Sequence, residues 1–233
     1  MSRSNPTNEL QNPAKRFFEW AGSTGQIKFY DKSKQENIFI EPPFPFIVLD
    51  QLNTITGYSD ELQSGIWSNE VRDLRVQPLT IKTKNGVYAK GTYDMLKGLS
   101  GSRFTKSIYI AYYDENKELV IGNIQASGSC LSAWIEFTKG KNVYEGAIAI
   151  TKAISAKKGA TKYFVPVFDS KPLSPETDEK AMALDKELQE YLEQYFAQAR
   201  NEPKADTEET ATEETSPFEE PVVEEVSDDE IPF

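Results

Sequence analysis

Histidine is absent from this chain of 233 residues, and cysteine occurs once, at Cys130. These two absences exclude an intrachain disulfide framework, a cysteine zinc site, zinc deaminase chemistry, Ser-His-Asp hydrolysis and Cys-His nucleophile pairs. No run of about 18 apolar residues is present, and the N-terminus has no apolar signal core. The expected protein is soluble and cytoplasmic, with no membrane partner. No residue pattern calls for a cofactor, a metal or a catalytic group, so an enzyme is not expected.

Basic charge is scarce overall: 26 Lys and Arg face 37 Asp and Glu, a net charge of −11. The deficit is uneven. Residues 201–233 carry thirteen acids against Lys204 alone, leaving residues 1–200 near +1, with 25 basic and 24 acidic side chains. Residues 1–171 hold 22 basic and 17 acidic side chains, a net +5. A mildly basic body joined to a strongly acidic tail implies a nucleic-acid-binding domain carrying a like-charged competitor.

Residues 1–13 are polar and read as a flexible arm. From Arg16 to Phe168 the chain is rich in aromatic and β-branched residues broken by turn signals. Strands are expected near 16–21, 25–31, 37–41, 46–56, 66–71, 78–84, 86–91, 104–114, 117–126, 144–154 and 161–168. Asn85-Gly86, flanked by alternating residues, is a hairpin signal. Short helices are expected over 92–99 and 129–137, where Met95, Leu96, Leu99 and then Leu131, Trp134, Ile135 recur at helical spacing. Many short strands with small inserted helices imply a mainly β domain over 14–171. The favoured architecture is a barrel of the oligonucleotide/oligosaccharide-binding (OB) type with extra strands; a β-sandwich is the alternative.

Ser174-Pro175 reads as an N-cap followed by proline at the first helical position. Leu184, Leu188, Tyr191, Leu192, Tyr195 and Phe196 then form one stripe of an amphipathic helix over 172–200. This stripe is expected to pack on the chain's own domain; pairing with another subunit is the alternative. Residues 201–233, rich in Glu, Thr and Pro, read as a disordered tail.

Binding a single strand without sequence choice takes cations for the backbone and flat side chains for the bases. In the hairpin near 79–90, Leu79, Ile81, Val87 and Ala89 share the inward phase, leaving Lys82, Lys84, Tyr88 and Lys90 outward. In 103–113, Ile108, Ile110 and Tyr112 point one way, and Arg103, Tyr109 and Tyr113 the other, as a stacking platform. Lys152, Lys157, Lys158 and Lys162 surround a turn and suit a phosphate backbone. Trp67 beside Arg72 and Arg75, and Trp20 after Lys15-Arg16, are further stacking candidates. Glu70 and Asp73 would anchor a Mg²⁺-dependent nuclease, but they also balance Arg72 and Arg75.

The last six residues, Asp228, Asp229, Glu230, Ile231, Pro232 and Phe233, close the acidic tail on an apolar tripeptide. Such an end suits docking, with Phe233 in a pocket and the acids steering to a basic rim. It resembles the C-terminal peptide of bacterial single-stranded-DNA-binding proteins, which recruits replication and repair enzymes. Asn12-Pro-Ala-Lys-Arg-Phe-Phe-Glu-Trp-Ala-Gly22 and Ser68-Asn-Glu-Val-Arg-Asp73 resemble segments of phage-encoded single-stranded-DNA-binding proteins. The body does not match the N-terminal domain of the bacterial proteins, and no Gly/Gln-rich linker precedes the tail, so their tetramer is not carried over. A monomer or a dimer is compatible. The resemblance implies an OB fold and a role in DNA replication, recombination or repair, in host cytoplasm for a phage protein. Its partners would be single-stranded DNA and enzymes that read the tip. An acidic DNA mimic or chaperone-like protein that binds no single strand is the alternative.

Overall fold

The computed structural model describes residues 10–201; residues 1–9 and the acidic segment 202–233, with its tip Asp228–Phe233, lie outside the described residues. Eleven strands form one sheet in the order β3-β2-β1-β9-β8-β4-β5-β6-β7, with β10 also paired to β4 and β11 to β10. Their ranges are β1 (Phe17–Ala21), β2 (Gln26–Asp31), β3 (Glu36–Ile40), β4 (Phe44–Ser59), β5 (Ser64–Ser68), β6 (Leu79–Thr83), β7 (Gly86–Gly91), β8 (Ser102–Tyr113), β9 (Leu119–Ala126), β10 (Ala147–Lys158) and β11 (Thr161–Lys171). Helices α1 (Tyr93–Leu96), α2 (Gly128–Thr138) and α3 (Pro175–Asn201) complete the described chain. All pairings are antiparallel except β1 on β9, which is parallel. Among the described residues no helix is long and apolar enough to cross a membrane.

The 16-residue β4 organises the molecule. Its first residues pair with β10 from Ile47↔Ala147 to Phe44↔Ile150, and its last with β5 from Thr56↔Trp67 to Ser59↔Ser64. Between them it runs along β8, with a register shift at Val48/Asp50. One strand thus serves two curled layers. In the first, alternate residues of β1, β2, β4, β8, β9 and β10 converge on a core of Phe18, Phe29, Phe46, Ile108, Ile110, Ile124 and Ile150. Helix α2 closes it with Trp134, whose ring lies 5.2 Å from Phe168 and 5.9 Å from Phe137. The β11 edge comes round to the β1–β2 turn, where the Phe164 N–H donates to the Gly22 carbonyl at 2.7 Å. Gly25, at φ +76°, leaves room for that approach; a Cβ there would meet Ala153 Cβ at 2.9 Å.

The second layer is the far end of the sheet, where Ile55, Ile66, Leu79, Ile81 and Leu96 form a separate core. The Asn85-Gly86 signal is honoured there, with Gly86 at φ 108° joining β6 to β7. On the opposite side of β4, β8 and β9, helix α3 lays down its apolar stripe. Ala181, Leu188 and Leu192 pack on Ile47, Leu49, Leu52, Tyr109, Ala111 and Ile121. Ser174 caps the helix, its Oγ accepting from the Thr177 N–H at 3.3 Å, ahead of Pro175. Asn12, read from sequence as part of the arm, is tied down: its Nδ2 donates to Tyr109 Oη at 3.0 Å.

Candidate nucleic-acid interface

Strand alternation fixes what the far end of the sheet presents. Because Ile55, Ile66 and Ile81 turn into the core, Thr56, Trp67 and Lys82 must turn out. The registers align them: Arg103↔Thr56, Thr56↔Trp67, Trp67↔Lys82 and Lys82↔Val87 are each directly opposite. Five strands therefore carry one transverse row, Arg103–Thr56–Trp67–Lys82–Val87, on a face that no helix or strand of the described residues lies across. Trp67 is 46% exposed and Tyr58, two residues along β4 on the same face, 51%. Thr80↔Lys90 adds a third cation beside the row. Large rings left in water with cations alongside bury nothing in this fold, which is the arrangement a stacking platform requires.

A cleft of about 560 Å³ opens beside the row, lined by Trp67, Thr80, Lys82 and Lys90 and, from the last turns of α3, Tyr195 and Phe196. Lys84 is exposed two residues beyond Lys82, and its Nζ donates to the Gln63 carbonyl at 3.0 Å.

Of the residues expected at a binding surface, Trp67, Lys82, Lys90 and Arg103 come together on this face. Several others do not. Tyr109 faces away from the Ile108–Ile110 core as expected, but α3 covers that face, and the ring is fully buried. Trp20 packs against the Phe18–Phe29 core and donates its Nε1–H to the Phe164 carbonyl at 2.9 Å, so its ring is a structural wedge. Arg72 is engaged bidentately by Asp50, at 3.1 and 2.8 Å, and lies over the Phe196 ring, fastening the 69–78 loop to α3. Arg75 is exposed in that loop. A bulge between Ile81 and Lys82 pairs Ile81 with Ala89 and Lys82 with Val87, leaving Tyr88 as the extra residue. Val87 therefore joins the outward row, 65% exposed, instead of facing inward. Tyr113 is exposed at the other end of β8 from Arg103, beside Lys15, Lys117 and Lys180. Lys152, Lys157, Lys158 and Lys162 lie on the β10–β11 hairpin, away from the row.

Glu70 and Asp73 do not converge on a metal site. Among the described residues no cluster of three or more Cys, Asp or Glu could hold a metal ion. The Asp73 carboxylate accepts from the Arg75 N–H at 2.8 Å. Glu70 turns beneath α3, where Ser107 Oγ and, at 2.7 Å, Tyr109 Oη donate to its carboxylate. Asn123 Nδ2 donates to Ser107 Oγ at 2.6 Å, and Asn123 Oδ1 is buried with no partner among the described residues. Burial pushes the Glu70 carboxyl above its ordinary value of 4.5; the two hydroxyl donors oppose this, and the charge of Asp50 adds to it. A carboxyl whose folded pKa exceeds its unfolded one costs stability while ionised. Stability from this group rises as pH falls through the raised value and levels off below about 4.5. Glu70→Gln is expected to remove that rise, measured as the difference between variant and parent in denaturant midpoint from about pH 8 to about pH 4.

Sequence reasoning missed Tyr58 and Thr56. The signal was there in Thr54-Ile-Thr-Gly-Tyr58, where Ile55 sets the inward phase. The chain matches no protein-family model, no curated protein and no solved structure.

Proposed function

We propose that this chain is a non-catalytic single-stranded-DNA-binding protein that coats exposed strands during DNA replication, recombination or repair. The observation that carries the reading is the half-exposed Trp67, set between Thr56 and Lys82 in a row ending at Arg103. Bases stack on Trp67 and Tyr58, while Arg103, Lys82 and Lys90 neutralise the backbone. The connectivity supports an OB-type core. β4, β8 and β9 form its meander, α2 its inserted helix, and β10–β11 its closing hairpin, with β10 returning to β4. The β5–β7 layer is then an elaboration of the first connection, a loop such folds use to hold oligonucleotides.

The acidic segment follows α3, whose Tyr195 and Phe196 line the cleft beside Lys82 and Lys90. Its net −12 competes with DNA for these lysines, and strand binding releases the Ile231-Pro232-Phe233 tip to recruit partner enzymes. The test is anisotropy titration of labelled oligo-dT and of a matching duplex, with the full chain and with residues 201–233 deleted. Preference for the single strand is expected, with a log–log salt slope near −0.7 per phosphate and tighter binding by the truncated protein at low salt. Binding to neither probe in low salt would favour the acidic partner-binding reading instead.

A further inference from the structure

Between Glu145 and Asp169 the sequence holds four lysines and no acidic residue, in a chain with 37 acids. The β10–β4 pairing stops at Ile150↔Phe44, yet the β10–β11 ladder continues from Lys152↔Val167 to Lys158↔Thr161. A two-stranded arm therefore extends past β4. Its base is clamped at Phe164, whose N–H donates to the Gly22 carbonyl at 2.7 Å and whose carbonyl accepts from Trp20 Nε1 at 2.9 Å and Ser129 Oγ at 3.1 Å. Beyond the clamp stand Ala156↔Tyr163, Lys157↔Lys162 and Lys158↔Thr161, turned by Gly159 at φ 59°.

Lys157 and Lys162 are directly opposite, so they share one face, where like charges repel. Lys158 and Lys152 take the other face, because strand alternation separates them from Lys157. All four are exposed, and no exposed residue between 152 and 162 is aromatic. The arm leaves from the Phe44 end of β4, whereas the Trp67 row crosses at Thr56, ~40 Å of strand away.

We propose that this arm enters a groove of duplex DNA, so that the protein seats itself at junctions between single and double strand; this rests on the single-strand reading of the Trp67 face. A single strand needs flat side chains for its bases, and the one ring beyond the clamp, Tyr163, is half-buried. What it has is a two-stranded ribbon with cations on both faces. The major groove, about 12 Å wide, admits such a ribbon and offers a phosphate wall on each side. The separation between arm and row matches one substrate with two parts better than one continuous stacked strand.

The test compares the full chain with its Lys157→Ala/Lys158→Ala/Lys162→Ala variant on labelled oligo-dT, a blunt duplex and a duplex bearing a dT tail. Melting curves establish that the variant is folded. The parent should bind the tailed duplex on the order of tenfold tighter than oligo-dT of the tail's length, and the variant should lose that advantage while keeping its oligo-dT affinity. The salt slope on the tailed duplex should fall by about 2–3, near 0.9 per lost phosphate contact. Equal weakening on oligo-dT and tailed duplex would make the arm a single-strand rail and overturn the proposal, as would no change on any probe. Arm-dependent binding to the blunt duplex without oligo-dT binding would sink the single-strand reading and leave the arm's role standing.

Discussion

Replacing Trp67 by alanine is expected to weaken oligo-dT binding by about 1–3 kcal/mol, roughly five- to 150-fold, with little change in thermal stability. The reasoning is local. The indole is 46% exposed and stands in a cross-strand row between Thr56 and Lys82, on the side of the sheet away from Ile55, Ile66 and Ile81. Its removal opens no cavity in a core, so a loss of affinity reports a lost contact with bases. Trp20 supplies the contrast. That ring is packed on the Phe18–Phe29 core and hydrogen-bonded to the Phe164 carbonyl, so its alanine variant should lose stability before affinity. Anisotropy titrations and melting curves on the two variants separate the cases. Equal oligo-dT affinity for parent and Trp67→Ala would remove the stacking role.

Trp134→Ala should be the most damaging single change to the fold, at about 3–5 kcal/mol in denaturant unfolding. The side chain is 1% exposed, wedged by α2 against Phe46, Phe137 and Phe168 at ring separations of 6.3, 5.9 and 5.2 Å. Its Nε1–H donates to Gln51 Oε1 at 3.0 Å, so truncation also strips a partner from β4. Trp134→Phe keeps most of the buried volume and should cost less than the alanine variant. A midpoint shift in Trp134→Ala no larger than a surface substitution gives would show that α2 does not close this core.

The strands were legible because runs of aromatic and β-branched residues, punctuated by Gly22-Ser-Thr-Gly25, Asn85-Gly86 and Lys157-Lys158-Gly159, state both their type and their limits. The α3 stripe was equally plain, since six apolar residues at helical spacing need a surface to cover. What it covers was not legible. Alternation in β8 places Tyr109 away from Ile108 and Ile110, but a face turned from one core is not thereby exposed, and a helix more than sixty residues later in the chain lies across it. Arg72 misled for a similar reason. It sits near Trp67 in sequence, yet Asp50, on a neighbouring strand, holds it bidentately. The bulge at Ile81/Lys82 put Val87 on the outer face, because the extra residue, Tyr88, breaks the alternation between Val87 and Ala89. The transverse row itself joins residues from 56 to 103, and only the strand registers reveal that they are neighbours.

The most direct test is tryptophan fluorescence of the parent and of Trp67→Phe during titration with oligo-dT. Trp134 is buried and Trp20 is packed on the core, so a stacked base reaches only Trp67. Quenching is expected in the parent and its loss in Trp67→Phe, which keeps a ring and so retains much of the affinity. Binding to oligo-dT with the same quenching in both proteins would place the strand elsewhere and contradict the assignment of this face.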